Sequence, residues 1–466
     1  MLNRRIRDPL HDLIAFSNKE LERVLWEAVQ TRPFQRLRRI RQLGFSDHVY
    51  PGATHSRLAH SIGVFHTARK LMEIVRAHVD QQSKEERALA AALLHDLGHG
   101  PFSHAFEKVG KRLGLKLADH EVMSDRLIRN SEVSEVLTQL GSGFANDVAD
   151  IIQKGGVKSV HHAVVSSQFD ADRLDYVRRD RLMTGTQHAA IDFNWLLANL
   201  EIGRVSEGVD ETPVGEVETF VLGPKAVEAA EGYVLGLFHL YPTVYLHKAT
   251  RGMEMLFTEL LVQVVSLVRE GSIKKTGLPS SHPLIQFAKR PEEIDVALNL
   301  DDTIVWGALS QMCQAEDKLV SMLSSRIRDR KLYKCCDVRA EVTHAFDPKS
   351  TEAPNLKDQI DRCCAAIKEA LTEWSAKNSS LGPRVLLDED KRSPYKSIGE
   401  SKGPLDRINI RTPGGTLVDL GERSTVVRSL QTYKLFRAYT DRNDHDAIEN
   451  ISKITKGEIE KCRQSR

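Results

Sequence analysis

The run Ala88-Leu89-Ala90-Ala91-Ala92-Leu93-Leu94 is apolar nearly all round a helix, and His95-Asp96 follows it at once. A helix apolar on every side is buried, so the chain must pack other helices around this one. Gly98, Gly100 and Pro101 then stop it. The predicted helix, Lys84 to Leu97, therefore carries His95-Asp96 at its C-terminal end, inside the core. A buried aspartate beside a buried histidine is costly unless the two are paired or coordinated. No packing role asks for that dipeptide between an apolar run and a glycine turn. The interior must hold a polar site there.

Apolar spacing at i, i+3 and i+4 predicts further helices over Leu21 to Val29, Leu58 to Ala77, Glu121 to Asn130 and Glu132 to Leu140. Two long helices are expected from Pro224 to Leu240 and from Thr243 to Val268, with little strand alternation before them. Gly271 to His282 reads as a loop. Helix resumes over Pro291 to Asn299, Thr303 to Ser325 and Gln359 to Lys377. Ala340 to Thr351 is ambiguous. Arg384 to Leu387, Arg407 to Ile410 and Thr416 to Asp419 look like short strands between Gly and Pro turns, and Asp444 to Lys461 like a charged helix. The expected fold is mainly α, with a helical core over residues 1–270, a linker over 271–300 and a smaller α+β region over 301–466.

At 466 residues the chain is too long for one ordinary core. Its 66 basic and 64 acidic residues leave a net charge of +2, so no global field selects for nucleic acid. Met1 to Asp8 lacks the apolar stretch of a signal peptide. The apolar stretch Leu260 to Val268 is too short to span a bilayer. The reading is a cytoplasmic chain with no membrane partner. Its six cysteines lack C-x-x-C spacing and read as reduced structural thiols.

The candidate site gathers four potential ligands: His60, His95, Asp96 and Asp172. Imidazole suits Zn, Fe or Mn and carboxylate suits Mg or Mn, so the set points to a divalent metal, Mg²⁺, Mn²⁺, Fe²⁺ or Zn²⁺. Four protein ligands leave open positions for water and substrate, as in a catalytic site. His99 and His104 lie on the glycine-proline loop after the dipeptide, and His120 follows shortly. All three cannot be ligands beside His60 and His95, so some must face substrate, where imidazole donates to phosphate oxygens or acts as a general acid. Asp172, Tyr176 and Asp180 share one helix face, with Arg173 beside them. The arginine-rich segment Arg32 to Arg41 suits bidentate phosphate binding.

Together these words resemble the HD-domain superfamily, and most closely the deoxynucleoside triphosphate triphosphohydrolases. The matching words are Asp8-Pro9-Leu10-His11, Phe34-Gln35-Arg36-Leu37-Arg38, Tyr50-Pro51-Gly52-Ala53-Thr54-His55-Ser56-Arg57, His95 through Phe106, and Ser166 through Tyr176. The resemblance implies an HD-domain helical core with His60, His95, Asp96 and Asp172 as metal ligands. It makes His120 the catalytic histidine, with His99 beside it and Glu107 or Glu121 orienting it. It puts His104, Arg57 and Arg173 on the triphosphate and Gln42 and Leu43 against sugar or base. Tyr176, Asp180 and Tyr245 would read the deoxyribose. Arg36 and Arg38 would belong to a regulatory nucleotide site at a subunit interface.

The implied reaction cleaves a dNTP to deoxynucleoside and inorganic triphosphate, in a homo-oligomer, a tetramer, with an activating nucleotide. The sequence departs from the family at Glu107, where Asp is common. It also lacks a phosphate-binding arginine just before Tyr245, and Gln30 stands where the family's guanine-reading acid lies, which argues against a guanine-specific activator. The alternative reading is an HD-type phosphodiesterase or nuclease acting on a cyclic nucleotide or on single-stranded nucleic acid.

Overall fold

The computed structural model describes residues 4–153, 159–209, 212–346, 356–379, 381–393, 395 and 407–464. The protein is mainly α-helical, with three small sheets among the described residues. It divides into two compact units that interleave along the chain. One comprises Met1–Tyr245, Ser281–Trp306 and Ser393–Gln431, the other Leu246–Ser280, Gly307–Arg392 and Thr432–Arg466. This partition differs from three consecutive blocks at 1–270, 271–300 and 301–466. The reason is that the 271–300 stretch is no plain linker: it carries the short helices Pro283–Lys289 and Ile294–Ala297, and its second half packs with the first unit.

The first unit is organised by the apolar helix. It spans Gln82–Leu94, and Ala88 through Leu94 are all buried. The helices Arg57–His78 and Phe144–Gln153 pack against it. Ser56 caps the first of these by accepting the Ala59 N–H. The helix Ala171–Thr184 lies across Arg57–His78, started by the Asp170 carboxylate on the Arg173 N–H and ended by left-handed Gly185.

Two hairpins stand where the sequence suggested little strand. Arg4–Asp8 pairs antiparallel with Asp12–Phe16. Its turn is set by the Asp8 carboxylate, which accepts the N–H groups of Leu10 and His11, both at 3.0 Å. Leu200–Val209 pairs with Thr212–Leu222 in a longer hairpin, and the latter strand adds Asn409–Arg411 in parallel and then Leu417–Asp419. Phe220, Val221 and Leu222 are buried. That packing of one end of the hairpin outweighs the charged alternation that makes the rest look irregular.

Other boundaries moved for local reasons. The expected Thr243–Val268 helix is a π-helical turn over Tyr241–Tyr245 followed by a helix over Lys248–Arg269. His247 breaks the two apart, its ring accepting the Ala249 N–H at 3.2 Å. Thr303 to Ser325 is two helices, Asp302–Met312 and Lys318–Arg328, because Asp317 caps a new start at the Val320 N–H, 2.9 Å away. Val338–Phe346 is helical, while residues 347–351 lie outside the described residues.

In the second unit, Leu386–Arg392, Tyr433–Thr440 and Lys334–Cys336 form a three-stranded antiparallel sheet. Cys363 and Cys364 are buried in the core beside it, and all six cysteines are free thiols. Arg251 is buried in this unit against Asp388, Asp390 and Glu254. Removing one partner of such a pair strands a buried charge, which costs about 3–5 kcal/mol. Arg251→Met is therefore expected to lower the thermal unfolding midpoint clearly, whereas replacing the exposed, ion-paired Arg290 should leave it within about a degree or two. Differential scanning calorimetry compares the two directly.

Candidate metal centre and active site

The central helix ends where its chemistry begins. His95 is its C-terminal cap, and Leu97 and His99 donate back to Leu94 and Asp96 in two successive tight turns. Gly98 sits against the helix His120–Asn130. A Cβ there would lie 2.3 Å from both the His120 carbonyl oxygen and the Ser124 nitrogen, so only glycine fits. The Gly98 N–H donates to Ser124 Oγ at 2.9 Å, and that hydroxyl donates to the His95 carbonyl at 3.1 Å. One serine thus fixes His95 relative to His120.

His60, from the Arg57–His78 helix, and Asp172, from the Ala171–Thr184 helix, complete the first cluster. His60 Nε2 lies 3.0 Å from Asp172 Oδ1, and His95 Nε2 lies 3.6 Å from the same oxygen. One ligand atom from each of His60, His95 and Asp172 falls within 4.8 Å of the others. Asp96 approaches within 3.3 Å of His95 Nε2 and 3.7 Å of His60 Nε2, while its Oδ2 also accepts from Arg57.

The donor set suits a metal ion. His95 Nδ1 donates to the Ala92 carbonyl at 3.0 Å, and His60 Nδ1 to Asp175 at 2.9 Å. In each ring the remaining Nε2 is buried and has no hydrogen-bond partner. Two bare imidazole lone pairs facing carboxylates are what a divalent cation satisfies. Burial opposes charge on His60, while the carboxylates of Asp172 and Asp175 on its two sides favour a positive charge there, a demand that a cation on Nε2 would meet. Burial also works against ionised Asp96, but Arg57, His95 and His99 hold it well below the ordinary carboxylate range.

Asp96 links this cluster to a second one. His99 Nε2 is 3.3 Å from Asp96 Oδ1, and the His99 ring stacks on His120 with centroids 4.1 Å apart. Glu107 accepts from His120 Nδ1 at 2.6 Å and lies 3.2 Å from His104 Nδ1. Glu107, not Glu121, therefore orients His120; Glu121 is exposed in the first turn of its helix. The stacked imidazoles are driven apart in basicity. Burial and the nearby charges of Arg57 and His120 push His99 well below its usual pKa. His120 is raised: burial and Arg57 work against its charge, but Glu107 and, more weakly, Asp96 outweigh them. Neighbouring groups with diverging pKa values mark an acid and its partner.

The loop between the clusters is strained. Phe102 and Ser103 both have positive φ, near 54° and 55°, each costing roughly 1–3 kcal/mol. Asp302 holds the loop by accepting the Phe102 N–H at 2.7 Å and the Arg41 N–H at 2.9 Å. Ser103 Oγ accepts from Arg57 Nε at 2.8 Å and donates to the Arg41 carbonyl at 3.2 Å. Gln42 and Leu43 follow Arg41 on this strut, half-buried.

On the next turns of the Ala171–Thr184 helix, Asp180 Oδ2 accepts from the Tyr245 hydroxyl and Oδ1 faces His55 Nε2, both at 2.9 Å. Tyr176 stands edge-on to Tyr245, with centroids 6.2 Å apart. Arg173 donates to Asp170 and to the Ser167 carbonyl.

Arg36 is a correction. The expected regulatory arginine is 2% exposed and donates to the carbonyls of Leu300 at 2.8 Å, His99 at 2.6 Å and Leu97 at 3.5 Å. It braces the metal-site loop from behind, because three carbonyl oxygens at turn ends need donors that water cannot reach. Arg38 is exposed and donates to Gln35. Sequence reasoning gave no role to His55, Asp175 or Arg179, although the first two stand in motif words that it quoted.

Residues 57–175 match the family model described as the HD domain. The chain is 34% identical over 435 residues to the uncharacterized protein YwfO of Bacillus subtilis, covering 91% of this chain and 88% of that one. It is 28% identical over 492 residues to deoxynucleoside triphosphate triphosphohydrolase SAMHD1 of Mus musculus, covering 96% of this chain and 70% of the mouse protein. A crystal structure of a phosphohydrolase from Bacteroides thetaiotaomicron superposes with a TM-score of 0.70 at 25% identity, covering 95% of this chain and all of that one.

Purified protein is expected to carry about one transition-metal ion per chain. His60→Ala and Asp172→Ala should each retain less than about a tenth of it. Plasma mass spectrometry of the three proteins measures this.

Proposed function

The chain belongs to the HD-domain family of phosphohydrolases, and on that premise we propose that it hydrolyses deoxynucleoside triphosphates to deoxynucleoside and inorganic triphosphate. The observation that carries the reading is the pairing of the two clusters through Asp96: a metal-ligand set on one side and, on the other, a histidine held charged by Glu107. The likeness to the mouse triphosphohydrolase over nearly the whole chain supports the substrate class.

His60, His95 and Asp172, with Asp96 beside them, would hold the ion. A divalent metal bound there supplies a Lewis acid for the phosphoryl oxygen and lowers the pKa of water. His120 acts as general acid, giving its proton to the 5′-oxygen as that oxygen leaves phosphorus. Glu107 keeps the proton on His120 until then. Neutral His99 stacks on His120 and fixes its ring. His104, exposed at the rim, donates to phosphate oxygens. Arg57, now paired with Asp96, and Arg173, now paired with Asp170, neutralise the triphosphate by exchanging a carboxylate contact for phosphate. The Asp180–Tyr245 pair, with Tyr176 beside it, reads the sugar hydroxyl, and Leu43 or Tyr245 packs at the 2′-carbon to exclude ribonucleotides. A homo-oligomer with an activating nucleotide belongs to the same reading.

The test is incubation with each dNTP, singly and in mixtures, with Mg²⁺ or Mn²⁺, and separation of the products by ion exchange. Deoxynucleoside and intact triphosphate are expected. Orthophosphate or pyrophosphate as the first product would overturn the triphosphohydrolase reading, and shortened single-stranded oligonucleotides with dNTPs untouched would replace it by the diesterase one. His120→Ala should lower kcat by about 10²–10⁴-fold.

The pH dependence has a definite sign. A general acid works protonated, so kcat falls as pH rises through the pKa of His120. Glu107→Gln removes the charge that raises that pKa, so the alkaline limb should move to lower pH by about one unit or more. A limb that stays in place assigns the acid to another group.

A further inference from the structure

The word Asp8-Pro9-Leu10-His11 lies outside the family-model match and has no part in the reaction above. In the fold it turns back onto the rear of the metal cluster. The His11 side chain is 1% exposed, and its Nε2 lies 2.7 Å from Asp175 Oδ1. Asp8 makes this possible twice over. Its carboxylate forms the turn by accepting the Leu10 and His11 N–H groups, and the same carboxylate accepts from Arg179 at 2.8 and 3.2 Å.

Asp175 is the centre of this arrangement and is wholly buried. Its Oδ1 receives His11 Nε2 at 2.7 Å and Arg179 Nη2 at 3.0 Å. Its Oδ2 receives His60 Nδ1 at 2.9 Å and Arg179 Nε at 2.7 Å. An ionised carboxylate only accepts, at about four lone-pair positions, and all four are taken. The His60 nitrogen that faces it must therefore carry the proton, which leaves Nε2 as the bare, buried atom directed at Asp172. Gly63 clears the space: a Cβ there would lie 2.2 Å from both Asp175 Oδ1 and Arg179 Nη2.

We infer that the N-terminal hairpin turn is part of the metal centre, with Asp175, supported by His11, Arg179 and Asp8, acting as the positioning carboxylate that sets the tautomer and orientation of His60. The inference rests on the reading of His60 as a metal ligand. In that arrangement a carboxylate behind a ligand histidine raises metal affinity. Asp175→Asn offers an amide that can hand His60 Nδ1 a proton donor instead, which moves the ring proton to Nε2 and blocks ligation. His11→Phe removes one of the two donors on Oδ1 while leaving the Asp175–Arg179–Asp8 ion pairs intact. His11→Gln places an amide N–H at the same reach.

The experiment titrates metal-free protein with Mn²⁺ and follows the loss of the free-ion electron paramagnetic resonance signal, beside a thermal melt of each protein with and without Mn²⁺. Asp175→Asn and His11→Phe are expected to bind Mn²⁺ about 10–100-fold more weakly. Their melting temperatures should rise less on adding the ion than that of the unsubstituted protein, since binding to the native state is what supplies that rise. His11→Gln should recover most of the affinity. A purely structural role would lower the metal-free melt and leave the Mn²⁺ affinity alone. If His11→Phe folds and both it and Asp175→Asn bind Mn²⁺ within about twofold of the unsubstituted protein, the inference is wrong while the metal site stands. If the unsubstituted protein takes up no Mn²⁺, the metal reading of His60 falls and this inference with it.

Discussion

Gly63 has no side chain, and the Asp175–Arg179 ion pair occupies the place where one would be. That single close approach lets the helix Ala171–Thr184 lie against Arg57–His78 with charged groups at the contact. Asp172 and Asp175 then meet opposite nitrogens of the same imidazole, that of His60. Everything catalytic on the Ala171–Thr184 helix depends on this seating. Asp180 meets His55 and Tyr245 two turns further on only because the helix is already in register at Asp172. A buried guanidinium shared by two carboxylates is expensive to desolvate, and it is tolerated here because Asp8 and Asp175 each meet it with two hydrogen bonds.

The second constraint is the turn after the central helix. Ser124 and Gly98 hold the loop to the next helix at backbone distance, Arg36 ties its carbonyls from behind, and Asp302 grips Phe102 in a left-handed conformation. His99 of this loop and His120 of the next helix can then differ in character although their rings stack. His99 is buried beside the Arg57 cation, and burial and that charge together push its basicity down. His120 has Glu107 for a partner, which raises its basicity. The same fold therefore sets residues that could hold a metal on one side of Asp96 and a carboxylate-paired histidine on the other.

The parts of the chain that announce themselves are those where pattern and chemistry coincide. Ala88 to Leu94 could be nothing but a core helix, and the polar dipeptide after it could only be a site. The amphipathic helices followed from the same periodicity. The long hairpin of Leu200–Val209 and Thr212–Leu222 did not, because glutamates interrupt its alternation. The place of Arg36 was not legible because an arginine-rich segment suggests surface charge. Nothing in the sequence says that one arginine of the run is buried against three carbonyls. His11 and Asp175 were visible as words but not as a pair, since they lie far apart in sequence and only the helix crossing at Gly63 joins them.

The interleaving of the two units has a consequence for how the protein is made. Val221 and Leu222 pair in parallel with Asn409 and Ile410. The strand that closes the first unit's sheet is thus separated from its partner by most of the second unit. A ribosome delivering about 5–20 residues per second leaves that edge open for roughly ten to forty seconds. During that interval Phe220, Val221 and Leu222 belong to an unfinished sheet, and the second unit must grow out of it without being captured by it. Assembly of such distant pairings is slow for any chain. His60, His95, Asp96 and Asp172 all leave the ribosome before that interval begins, but Asp302, which holds the loop between the two histidine clusters, arrives only within it.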